Sequence, residues 1–76
     1  MEALDGSRWP SILGSDVQRD GLYLEVRNPQ GGVAFEIFRS DREKSVTFTT
    51  FQENIPLEVV EAAVASARPR LWTFED

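Results

Sequence analysis

The chain has no cysteine and no histidine, and Lys44 is the one lysine among its eight basic residues. Without cysteine no disulfide can staple the fold, and without thiolate or imidazole the usual zinc ligands are missing. The commonest nucleophile and general base go with them. Ser and Thr have no histidine to activate them, and Lys44 lies in a polar turn with nothing apolar to desolvate it. No stretch approaches the about 18 apolar residues of a membrane-spanning helix, and no basic segment followed by an apolar run opens the chain. A cytoplasmic protein that meets no membrane is therefore expected.

Other functional signatures are also lacking. Gly31 and Gly32 follow one apolar alternation and lead into another, so they do not open a helix that could cradle phosphate. Asp5-Gly6 and Asp41 lack the repeated acid spacing of a calcium loop. No cofactor, metal or catalytic residue is expected. A formal net charge of -5, with the basic residues scattered, argues against nucleic acid as a partner. It suits an encounter with a basic protein surface.

What is present is a folded composition, 41% hydrophobic and 28% charged. At 76 residues a chain buries only about 60 to 65% of its unfolded surface, so the core must be small. Three alternating segments lie close together, GLYLEVRN, VAFEIFRS and SVTFTTFQ. They predict a three-stranded antiparallel β-meander over about 21–28, 33–40 and 45–52. The turn Asn28 to Gly32 supplies a proline and a glycine able to take positive φ. Setting Asn28 opposite Val33 and counting back puts Val26 opposite Phe35, Leu24 opposite Ile37 and Tyr23 opposite Phe38; the turn Asp41 to Lys44 puts Ile37 opposite Phe48. The inner face then reads Leu22, Leu24, Val26, Val33, Phe35, Ile37, Val46 and Phe48.

One C-terminal α-helix, about 55–68, is expected to pack on that face. Pro56 suits a first turn, Glu58 and Glu61 suit a helix N-terminus, and Leu57, Val60, Val64 and Ala67 recur at helical spacing with Val59 and Ala63 beside them. Pro69 should end it near Ala67 or Arg68. The class is α+β: residues 1–20 form a partly irregular N-terminal arm, residues 21–76 a single domain, and either terminus has room for a short extra strand or arm. Trp9, Ile12 and Leu13 in the N-terminal arm, and Trp72 and Phe74 in the tail, are apolar knots that either cap an open part of the domain or dock on a partner.

The outer sheet face holds the candidate site. The register places Tyr23, Glu25, Phe38, Glu36, Thr49 and Phe51 there, and three aromatics are more than a solvated antiparallel face normally carries. Either a terminal arm covers them, or another protein does, or a second copy in a two-fold dimer. Glu25 and Glu36 fall directly opposite each other, an unfavourable pairing unless compensated. Arg27 is close enough to do so, and an acid-base pair is the weaker alternative. The sequence thus points to a non-catalytic protein-binding module of accessory, regulatory or inhibitor type; the alternative is an obligate homodimer.

Overall fold

The computed structural model describes the backbone of residues 2–4 and all of residues 8–72. It is an antiparallel five-stranded sheet in sequential order, β1 (Glu2–Leu4), β2 (Trp9–Asp16), β3 (Gly21–Arg27), β4 (Val33–Ser40) and β5 (Ser45–Thr50), followed by one helix, α1 (Leu57–Leu71). The α+β class and the C-terminal helix are as the sequence predicts. The sheet is larger than a three-stranded meander, because much of the expected N-terminal arm is paired. β2 runs antiparallel to β3 from Ser11↔Val26 to Asp16↔Gly21. That pairing stops just before Pro10, which has no N–H to offer a ladder. β1 pairs with the same end of β2 along its other edge, with Glu2↔Ser11 and Leu4↔Trp9.

The central register matches the sequence expectation: Tyr23↔Phe38, Leu24↔Ile37, Glu25↔Glu36, Val26↔Phe35 and Ile37↔Phe48. One end does not. A bulge between Val26 and Arg27 shifts the pairing, so Arg27 rather than Asn28 faces Val33. Val33 consequently lines a hollow with Glu25 and Glu36 on the outer side instead of joining the inner face. The β3–β4 turn is tied by Asn28, whose Oδ1 accepts from the Gln30 and Gly32 N–H groups, both at 3.0 Å. Gly31 supplies the positive φ, 97°.

The core lies between β3, β4 and α1. Leu24, Val26, Phe35 and Ile37 of the sheet meet Val59, Ala63, Ala67 and Leu71 of the helix, with Trp9, Leu22 and Val46 packed at the margins. The buried helix stripe repeats every four residues and is rotated from the expected one, leaving Leu57 67% exposed and Val60 and Val64 on its flank. Two alanines in the stripe allow the helix to come close to the sheet, and the larger Val59 and Leu71 close its two ends. The helix also runs past its expected end. Pro69 sits within the final turn, and the chain stays helical to Leu71, whose complete burial contributes about 2 kcal/mol against the local preference of Pro69.

Candidate functional site

On the outer sheet face the strands bring Tyr23, Glu25, Glu36 and Phe38 together in two opposed pairs. The β2–β3 turn covers part of this face. Arg19 in that turn folds back so that its guanidinium lies 4.0 Å from the Phe38 ring centroid. From there Nη1 and Nη2 donate to the two Glu36 oxygens at 3.0 and 2.9 Å. Nε donates to Asp16 Oδ2 at 2.6 Å. Phe38 is thereby reduced to 9% exposure. These bonds raise the Arg19 pKa further above its ordinary value, the Glu36 contact first and Asp16 second. They hold Asp16 below the usual carboxylate range, chiefly through the Arg19 side-chain bond.

Glu25 has its own cation. Arg27 Nε and Nη2 both reach Glu25 Oε2 at 2.9 Å, and Nη1 donates to the Gly31 carbonyl at 3.2 Å. The two facing carboxylates are therefore compensated separately, one by each arginine, which removes the repulsion that like charges on opposed strand positions create. Tyr23 is half-buried and reaches across β2 at Gly14, where an added Cβ would lie 2.5 Å from its hydroxyl oxygen.

Towards β5 the face opens. Glu25, Val33, Glu36 and Phe51 line a hollow of about 340 Å³. Phe51 is 59% exposed; its N–H donates to the Ala34 carbonyl at 2.8 Å, which anchors the backbone while the ring stays exposed. Thr49 lies opposite Glu36 and is exposed. The six residues singled out from the sequence thus divide: Glu25, Glu36, Thr49 and Phe51 form the open part, and Tyr23 and Phe38 form its covered flank. Among the described residues no group of three or more acidic side chains is placed to hold a metal ion.

The apolar knots fall elsewhere. Trp9 packs against the helix-side core. Ile12 lies opposite Glu25 on the outer face, and Leu13 lies opposite Leu24 on the helix side. Trp72 follows α1 and is stacked under Arg68, 5.2 Å from guanidinium to ring centroid. Phe74 lies outside the described residues. Arg19, Asp16 and Val33 were not legible as parts of this face. The one local signal was Asp16 three residues before Arg19, a spacing that closes a turn.

A second apolar surface lies on the helix side, between β5 and the flank of α1. Ile37, Val46, Phe48, Val60, Val64 and Trp72 line a groove of about 190 Å³, with Phe48 50% and Trp72 38% exposed. Among the described residues no helix is long and apolar enough to cross a membrane. No protein-family model, curated protein or solved structure matches the chain.

Proposed function

We propose that the chain is a small acidic, non-catalytic protein-binding module of the cytoplasm that uses the open half of its outer sheet face. The observation that carries this reading is the exposed Phe51 ring beside the hollow that holds Glu25 and Glu36. An apolar wall next to carboxylates suits a long basic side chain on a partner. Its methylene stem would lie on Phe51 and Val33, and its charged head would reach Glu25 Oε1, since the Arg27 contacts are on Oε2. The net charge of -5 would steer such a basic protein inward and repel nucleic acid. An inhibitor or accessory protein for a basic enzyme is the specific version.

The test is capture from a lysate of the source cells with the wild-type chain, with Phe51→Ser and with Glu25→Gln, after each is shown to be folded. A basic protein retained by the wild type and lost by both variants supports the reading, and its association rate should fall steeply with salt. Retention that is equal for all three, or independent of salt, overturns it.

A further inference from the structure

Among the described residues no strand pairs with the outer edge of the last strand of the sheet, and its chemistry is unusual for an edge. β5 ends the strand order. Natural edge strands are protected by lysine, proline, inward charges or bulges. Ser45–Thr50 contains no charged residue and no proline, and its pairing with β4 runs from Ser40↔Ser45 to Phe35↔Thr50 without a register shift. Thr47 to Thr50 are all exposed. The strand is also rich in β-branched and aromatic residues, the types that favour further pairing.

The hydrogen-bond phase of that edge can be read. The Phe51 N–H points to Ala34, so by the alternation of an antiparallel ladder Thr49, Thr47 and Ser45 also direct their amides at β4. Val46, Phe48 and Thr50 direct theirs outward. The outward set is symmetric about Phe48. If a second β5 lies antiparallel across a two-fold axis at Phe48, Phe48 meets its own counterpart and Val46 meets Thr50 of the second copy. Every outward N–H and C=O of the strand then finds a partner, and Thr47 falls opposite Thr49 on the outer face, a favourable cross-strand pair.

The same operation closes the helix-side groove. Phe48 and Val46 point into it, so pairing at Phe48 joins the two grooves into one apolar seam flanked by both helices. The symmetry of the outward set about Phe48 selects the second copy as occupant, and the absence of charge lets it approach. A chain of net charge -5 repels itself over most of its surface, and this strip is the uncharged part. Antiparallel pairing also brings the turn Asp41 to Lys44, whose two acids and two bases balance, towards Glu53 of the second copy. A parallel arrangement would set Glu53 near Glu53.

We infer that the chain forms a two-fold homodimer through antiparallel β5–β5 pairing centred on Phe48, making a continuous ten-stranded sheet. The interface follows β5 and meets the outer-face hollow only at Phe51, while Glu25 on β3 lies outside it, so Glu25→Gln separates the two readings.

Sedimentation equilibrium of the full chain over a range of concentrations, paired with residue-resolved amide hydrogen exchange, tests it. The wild type should have the mass of a dimer, with the Val46, Phe48 and Thr50 amides protected along with those of Thr47 and Thr49. Phe48→Glu sets two carboxylates at the axis. It should weaken association by about 30-fold or more and expose the Val46 and Thr50 amides, together with the amide of the substituted residue. The Thr47 and Thr49 amides should stay protected, which also reports that the variant is folded. Thr50→Pro removes an outward N–H without touching the β4 ladder and should weaken the dimer while leaving the monomer intact. Glu25→Gln, on β3 and away from the β5 edge, should leave the dimer unchanged. A wild type that stays monomeric up to about 1 mM, or a dimer whose Val46, Phe48 and Thr50 amides exchange freely, overturns the proposal.

Discussion

Arg19 grips Glu36 through two parallel hydrogen bonds at 3.0 and 2.9 Å, from a turn seventeen residues away in sequence. The same guanidinium lies over Phe38, so one side chain neutralises a carboxylate and covers an aromatic ring that would otherwise face water. Arg19→Ala should therefore lower stability by about 1 kcal/mol, a value kept small because the Arg19 side chain is 44% exposed. Arg19→Lys should recover less than half of that, since an ammonium cannot make the bidentate contact or stack as a plane. Urea unfolding of the three proteins measures both differences. Equal stability of all three would show that the contact contributes nothing.

The Asp16 carboxyl gives a pH dependence whose sign follows from the direction of its shift. Its folded pKa lies below the ordinary value of 3.8 because Arg19 bonds the ionised form. The contribution is therefore present above about pH 4 and is lost as pH falls through the folded pKa. Asp16→Asn should lower stability above about pH 4, where the ionised form contributes, and flatten the acid limb below it. A titration of Asp16 followed by NMR should show its pKa returning towards the ordinary range in Arg19→Ala.

Asn28 joins two parts of the chain. Its Oδ1 accepts two backbone N–H groups of the β3–β4 turn, and its Nδ2 donates to Gln52 Oε1 at 2.8 Å. Asn28→Ala removes all three bonds and should cost about 2 kcal/mol. Asn28→Asp keeps the two turn bonds and loses the donor to Gln52, so its loss should be smaller. Thermal unfolding ranks the pair, and equal losses would mean that the Gln52 tie dominates.

Gly21 has no room for a methyl group. A Cβ there would meet the Phe38 ring at 2.6 Å and collide with the Arg39 carbonyl. Gly21→Ala should cost at least about 2 kcal/mol, while the exposed Val17→Ser in the neighbouring turn, at 90% exposure, should lie within about 0.5 kcal/mol of wild type. Chemical denaturation midpoints decide it, and a tolerated Gly21→Ala would mean that the Arg39 backbone can shift and Phe38 can turn away from β3.

The sequence carried the β3–β4–β5 meander well. Apolar and polar residues alternate through Leu22 to Val26 and Phe35 to Ile37, and a slip of one residue would turn the buried set outward, so the central register was legible, whereas the bulge that turns Val33 outward was not. β2 was not. Gly14 interrupts its pattern, and Pro10, Ser11, Ser15 and Asp16 resemble a loop. That stretch is a strand because β3 offers it a ladder, and Gly14 is there because Tyr23 reaches across it. The candidate site was half legible: alternation put Glu25, Glu36 and Phe51 on one face, but no local pattern could show that Arg19 would cover Phe38.

The amino-acid order by itself determined the elements with a period of their own, the three meander strands and the amphipathic helix, because hydrophobic spacing is a local property. It also determined that metal and nucleophile chemistry based on cysteine or histidine is absent from the chain. Tertiary structure decided the rest. Packing kept α1 helical through Pro69 because Leu71 had a place in the core, and it rotated the helix onto Val59, Ala63, Ala67 and Leu71, leaving the groove beside β5. It also placed Arg19 on Phe38 and Glu36, since which distant side chain covers a given face depends on the path of the whole backbone and on which arrangement buries most apolar surface without stranding a charge.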